Sequence, residues 1–351
     1  AWVSNDLGRW RVWMQELKTG KRTVLLRGGA RNALQATDYN YPLLAWHPDN
    51  RRLAILYERR DVPKLTLMEV DSRKKEKSNL SPEYQRVYSM EFNNGNELLL
   101  SAAVRGFSDL FLYKLATRQT ERLSQDPWDD LDATVVYDEG KKYLMFASNR
   151  PKDSLLQERL DTVLPTRRCD LFLYDLETRD PELIRVTQTE LFNERNPVAL
   201  DSTRFAFLSD ENGLYNRHIG RLEPYIAYYQ TVLYLKNGTQ LKASDSLPVG
   251  EWPLKRVRGF LAPLDTVLRN TDSTQIDSVR VYPVYKKRPV TWPVSSYDRS
   301  ICEQHASMRS KKWVEVLPLD GRRAFYIRPS GEPERTTVPL TRYREITLRD
   351  A

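Results

Sequence analysis

One stretch recurs along this chain, and the recurrence limits what the chain can fold into. Its clearest copy is Val87 to Ser124. Apolar and polar residues alternate to Phe92, and Asn93-Asn94-Gly95 turns the chain. Leu98 to Ala102 is a short apolar run, Arg105-Gly106-Phe107-Ser108 a second turn, Leu110 to Tyr113 a third run, and Thr117-Arg118-Gln119 a third turn before Thr120 to Leu123. Short runs with tight connections predict four antiparallel strands in a meander. One such sheet cannot bury both faces alone, so copies are required. They are found at Tyr41 to Leu80, at Asp132 to Thr187 around an insertion, and at Asn196 to about Leu222, while Trp2 to Leu26 carries the last three strands of the unit. Phe92 and Tyr137 each precede a turn ending in Gly, and Asp109-Leu-Phe-Leu-Tyr113 is repeated as Asp170-Leu-Phe-Leu-Tyr174. A period of about 45 residues with four strands per unit is the signature of propeller blades. The predicted class is all-β: a β-propeller over residues 1–225 with its first blade incomplete, and an irregular, strand-containing region over 226–351 that helps to complete the last blades.

Several segments resemble a known repeat. Trp46-His47-Pro48-Asp49-Asn50 stands where TolB-like (WD-like) propeller repeats of bacterial envelope proteins carry a Trp-Ser-Pro-Asp-Gly turn. Phe146 to Arg150 and Phe207 to Gly213 resemble their second-strand segment, and Leu173 to Thr178 resembles the third. The resemblance covers roughly residues 1 to 225 and departs at His47, where the family has Ser. It implies a periplasmic or outer-membrane-associated interaction scaffold, exported and bacterial, that binds an envelope or outer-membrane protein complex. Related propellers also precede the catalytic domain of prolyl oligopeptidase-like enzymes, so an accessory domain of a larger peptidase or hydrolase is the alternative, and glycan binding a third. Fold alone does not choose among them.

In propellers of this kind the segment before each first strand reaches the rim of the central channel. The candidate partner-binding residues lie there: Tyr39 and Tyr41, Tyr84, Trp128 with Asp129 and Asp130, and Asn193, Glu194 and Arg195. Aromatic area combined with polar groups suits a protein-binding surface. The insertion Pro151 to Arg168 predicts a short helix over Ser154 to Leu164. Further on, Pro224 to Lys236 reads as a strand closed by an Asn237-Gly238 turn. Leu261 to Val284 reads as an excursion from a blade. Ser310 to Val316, Arg323 to Ile327 and Thr336 to Leu348 read as strands, with Asp320-Gly321 as a hairpin turn.

A dipeptide pattern, Asp then Ser or Thr before an aliphatic residue or Thr, occurs seven times, at Ser154, Thr162, Ser202, Ser246, Thr266, Ser273 and Ser278. It resembles the O-glycosylation site of exported Bacteroidota proteins, and bulky sugars suit exposed loops. Asp-Ser and Asp-Thr are also ordinary turn formers.

Catalytic signatures are missing from the sequence. It has no G-x-S-x-G elbow, H-E-x-x-H, P-loop or dinucleotide fingerprint. Cys302 near His305 is a weak pairing for a nucleophile and base. Asp126, Asp129, Asp130 and Asp132 lack the Gly and Glu of an EF-hand loop. We expect neither enzyme activity, nor a cofactor, metal or small-molecule substrate. The net charge of +8 is spread among 47 acidic residues without interleaved aromatics, so nucleic acid is not an expected partner. No apolar run approaches a membrane span. Cys169 and Cys302 either pair, in an exported protein, or stay as buried free thiols. Because Trp2 to Asn5 already reads as a second strand, the expected context is a longer protein.

Overall fold

In a computed structural model we describe residues 1–6, 9–28, 41–60, 62–156, 168–189, 191–244, 262–331 and 333–350. They form two compact units, Ala1–Arg221 with Thr291–Ala351, and Leu222–Val290. The sequence placed its boundary at 225/226; the chain here leaves the first unit after Arg221 and returns to it at Thr291.

The first unit is a propeller of antiparallel sheets. The first blade holds β1 (Trp2–Asp6), β2 (Arg9–Gln15) and β3 (Arg22–Arg27). The second holds β4 (Leu43–Trp46), β5 (Arg52–Arg59), β6 (Val62–Glu69) and β7 (Lys75–Asn79). The third holds β8 (Arg86–Asn94), β9 (Glu97–Val104), β10 (Phe107–Lys114) and β11 (Thr120–Arg122). The fourth holds β12 (Asp130–Asp138), β13 (Lys141–Ser148), β14 (Asp170–Asp175) and β15 (Ile184–Arg185). The fifth begins with β16 (Glu194–Ala199), β17 (Arg204–Ser209) and the first part of β18 (Asn216–Leu235).

The middle strands carry unbroken apolar runs because both of their faces are covered. In β9, Leu98 through Ala102 are fully buried, and Leu110 to Tyr113 of β10 are nearly so. The core therefore lies between blades. Leu56, Leu65, Leu100 and Phe111 pack between the second and third, and Leu99, Leu112, Phe146 and Phe172 between the third and fourth. Each such side chain contributes about 1.5–3 kcal/mol by leaving water. His47, the departure from the family turn, sets its ring edge-on to Phe92 at 4.8 Å, with Nε2 2.9 Å from the Gly95 carbonyl, and so joins the second blade to the third. Arg105-Gly106 and Asp320-Gly321 both adopt positive φ, which tight hairpins of matching twist require.

The second unit begins within β18. It contains β19 (Gln240–Ser244), β20 (Ala262–Pro263), α1 (Leu264–Arg269) and most of β21 (Ile276–Pro293), which pairs with β18. Its ribbon leaves Tyr225, Tyr229, Val281 and Tyr285 exposed, and joins the Tyr234 and Tyr282 hydroxyls at 3.1 Å.

The end of β21 returns to the fifth blade. The Val294 amide donates to the Arg217 carbonyl at 2.9 Å, which makes this segment the blade's fourth strand. A sixth sheet follows: β22 (Glu303–Ser307), β23 (Lys312–Leu319) and β24 (Arg322–Pro329). Trp313 and Ile219 pack between the fifth and sixth blades, and Trp2 stands 6.2 Å from Phe325 across the first and sixth.

Thr336 to Leu348 corrects one expectation. It is not a strand: 342–350 is a helix, α2 (Arg342–Asp350). The Thr341 hydroxyl and carbonyl accept from the Arg344 and Glu345 amides and open the helix. Arg344 is 2 % exposed and donates to the carbonyls of Leu191 at 3.2 Å and Asp210 at 2.6 Å. Residues 157–167, which hold most of the helix expected in the insertion, lie outside the described residues.

Candidate functional site

The innermost strands β8, β12 and β16 each carry a bulge near their start, at 87/89, 131/134 and 195/198. A bulge turns a side chain out of the ladder, here toward the next blade. The Ser89 hydroxyl accepts the Ala133 amide at 3.1 Å. One Asp132 carboxylate oxygen accepts the Asn196 amide at 3.0 Å. The Asn196 side chain accepts the Gln304 amide at 2.8 Å. Before them, the Tyr41 hydroxyl accepts the Val87 amide at 2.7 Å. Four side chains thus lace the inner strands of successive blades. Asp132 and Asn196 sit at φ 54° and 50°, conformations that Asp and Asn tolerate better than bulky residues.

This lacing places the candidate residues. Tyr41 is buried by it, and Tyr84 is 4 % exposed with its ring edge-on to Phe111 at 5.2 Å. Asp130 is fully buried, and Arg150 bonds both of its carboxylate oxygens at 2.6 and 2.8 Å. Arg150 also reaches Asp126 at 3.2 Å. Burial, and next the Asp130 charge, push the Asp126 carboxyl up to about 6. Glu194 is 2 % exposed, accepts from Thr189 at 2.9 Å and Ser209 at 3.1 Å, and is pushed up to about 8, first by burial. These four side chains hold the interior of the blades together and present little surface.

Trp128, Asp129, Asn193 and Arg195 are only half-buried. The Trp128 amide bonds the Asp126 carboxylate at 3.0 Å, and the Asp129 amide bonds the Asn149 side chain at 2.8 Å. Asn193 is tied to the Cys169 amide at 3.0 Å. Arg195 grips Asp132 at 2.5 and 3.2 Å. Their backbones are held while parts of their side chains meet solvent. Tyr39 lies outside the described residues.

Sequence reasoning missed a constellation that repeats with the blades. In the third, Asp109 lies near the start of β10, Arg122 on β11 bonds its carboxylate, and the Ser124 hydroxyl accepts the Leu110 amide at 3.0 Å. In the fourth, Asp170 opens β14, Arg185 bonds it at 2.8 Å, and the Thr187 hydroxyl accepts the Leu171 amide at 2.9 Å. Each guanidinium also lies over a ring of its own blade, at 5.8 Å from Phe111 and 4.6 Å from Phe172. Arg122-Leu-Ser124 and Arg185-Val-Thr187 were the available signal, spaced 13 and 15 residues from the acids they serve. Arg217 is a further buried cation, bonded to Glu315 at 2.9 Å and Gln304 at 2.7 Å across the fifth and sixth blades.

Of the Asp-Ser/Thr positions, Ser202, Thr266 and Ser273 are exposed, Ser154 and Ser278 are half-buried, and Thr162 and Ser246 lie outside the described residues. Asp201 accepts the Thr203 and Arg204 amides, and Asp272 the Thr274 amide, as turn-forming aspartates do. Both cysteines are free: Cys302 is exposed, while Cys169 is buried, which pushes its thiol up to about 11. Among the described residues no group of three or more His, Cys, Asp or Glu side chains is arranged to hold a metal, and no helix is long and apolar enough to cross a membrane.

Successive blades of three or four antiparallel strands, laced at their inner edges, define a β-propeller fold. No protein-family model and no curated protein matches the sequence. Solved structures do. TolB from Acinetobacter baumannii matches at TM-score 0.51 and 14 % identity, over 92 % of this chain and 57 % of that one. A protein assigned as TolB from Agrobacterium tumefaciens matches at 0.52 and 12 %, over 93 % and 87 %. A puromycin-hydrolyzing peptidase of Mycobacterium tuberculosis follows at 0.39 and 12 %, over 71 % and 42 %, too distant to carry an argument. The likeness to the two TolB structures is one of fold.

Proposed function

We propose that this chain is a non-enzymatic protein-interaction module of a bacterial cell envelope, exported to the periplasm or the outer-membrane face. It binds a partner protein at the end of the blades where Trp128, Asp129, Asn193 and Arg195 reach solvent. The observation that carries this reading is the extent of the likeness: two TolB structures match over more than nine-tenths of this chain. Half-exposed aromatic and charged side chains on braced backbone suit such contact, because little order is lost on binding.

The test is capture of a partner from the membranes of the source organism by the tagged protein, with cell fractionation alongside. Trp128→Ala with Asp129→Ala is expected to weaken capture by about 2 kcal/mol, roughly thirtyfold, with unfolding unchanged. Unaltered capture would remove this end of the blades as the binding surface. A hydrolase domain in the purified full-length protein would favour the accessory-domain reading, and retention on a glycan array the glycan-binding one. Excess mass on peptides holding Ser202, Thr266 or Ser273 would mark export and O-glycosylation.

A further inference from the structure

The outer strands of the second blade meet a turn of the third around a hollow of about 260 Å³. Four cations line it. Arg59 comes from the end of β5, Lys64 from β6, Lys77 from β7, and Arg118 from the turn between β10 and β11. Tyr57, Ser78 and Asn79 complete the polar wall, and among the described residues no carboxylate lines it. Tyr57, Lys64 and Asn79 are direct neighbours across β5, β6 and β7, and the Lys64 ammonium donates to the Asn79 side chain at 3.1 Å. Among the described residues, none of the four cations forms an ion pair. Arg118 and Ser78 also border a smaller hollow on the other face of β7, which they share with Leu65, Leu115 and the Glu76 carboxylate.

Several other arginines of the first unit are matched with counter-charges. Arg122, Arg150, Arg185, Arg195 and Arg217 all have carboxylate partners. Like charges gathered without a counter-charge repel one another, and their combined field favours an anion. Space is ample, since a single water needs only about 10–15 Å³. Two guanidinium forks can each hold two oxygens of one oxyanion, two ammonium groups add point charges, and the Tyr57 hydroxyl and Asn79 amide are further donors. β7 also pairs on one side only, so ligand can approach along an open sheet edge.

We propose that this hollow binds a phosphoryl group carrying at least two negative charges, either free in solution or as the head group of a lipid. Bridging Arg59, Lys64, Lys77 and Arg118, the ligand would fasten the outer edge of the second blade to the third. The site is separate from the partner-binding residues around Trp128 and does not rest on them.

The experiment titrates the intact protein with pyrophosphate by calorimetry at low salt, and measures flotation with phosphatidylcholine vesicles with and without phosphatidic acid. One saturable site for pyrophosphate, or flotation only with phosphatidic acid, is the expected result; the first alone identifies a free anion and the second a head group. Lys77→Glu with Arg118→Glu should reduce binding at least tenfold, and Arg59→Gln with Arg118→Gln should do so with less change in charge. Lys18→Glu with Lys21→Glu, in the exposed turn of the first blade, should leave binding intact. Binding of neither probe overturns the proposal. So does an equal loss in the first-blade control, which would mean that net charge alone draws the anion.

Discussion

Arg150 shows how a single side chain can hold a blade. It is 2 % exposed and faces two acids, Asp130 and Asp126, with further bonds to the Ser148 hydroxyl and Ser154 carbonyl. Truncating it leaves both carboxylates buried without their cation. Arg150→Ala is therefore expected to cost about 3–5 kcal/mol, read from chemical denaturation. Among the described residues, Glu194 has no such cation. Burial raises its carboxyl from 4.5 to about 8, so the folded state holds its proton more tightly than the unfolded chain does. The stability this contributes is complete below pH 4.5 and is lost as pH rises to about 8. Asp126 and Asp109, both pushed up to about 6 by burial, act with the same sign over a lower range. Glu194→Gln does not titrate, so the denaturation midpoint of the natural protein should fall relative to the variant between these limits. A constant difference across that range would show that Glu194 ionises in the fold as it does in water.

Among the elements, the inner-strand bulges govern how blades meet. Asp132 receives both the Arg195 guanidinium and the Asn196 amide, so one residue of β12 fixes the start of β16. Asp132→Ala is expected to cost about 2 kcal/mol, since it leaves a charged donor and an amide without their acceptor. Asp132→Asn keeps an acceptor and tolerates the positive φ, so it should restore more than half of that loss. The α2 helix illustrates the limit of pattern reading. Thr336 to Leu348 alternates well enough to suggest a strand, but Arg344 docks on the Leu191 and Asp210 carbonyls and over the Phe192 ring at 5.1 Å. Helical geometry lets the Thr341 start of α2 and Arg344 meet the same blade. Arg344→Ala should destabilise by about 1.5–3 kcal/mol, with a weakened attachment of α2 seen as faster amide exchange over Arg342–Asp350.

For the whole molecule, the excursion at 222–290 separates two strands that belong to one sheet. Arg217 and Val294 are bonded neighbours, and a methyl group at Gly220 would stand 3.0 Å from the Thr291 side chain. Replacing 222–290 by a two-residue Asn-Gly turn should therefore leave the first unit folded, with cooperative unfolding and an unchanged β-sheet circular dichroism signature per residue. Local alternation, turn residues and the 45-residue repeat determined the blades, because a four-stranded meander is set by neighbours within one unit of chain. They marked Trp128, Asp129, Asn193 and Arg195 as rim residues, but Tyr41, Tyr84, Asp130 and Glu194 equally so. The sequence could not show that Tyr41, Asp130 and Glu194 turn inward, since their partners Val87, Arg150 and Ser209 lie 46, 20 and 15 residues away. Nor could it show that Arg59, Lys64, Lys77 and Arg118 share one hollow. Those outcomes depend on how one blade stacks on the next and on which strand supplies each charge. Only tertiary contact decides them, because burial sets the cost of leaving a polar group unpaired.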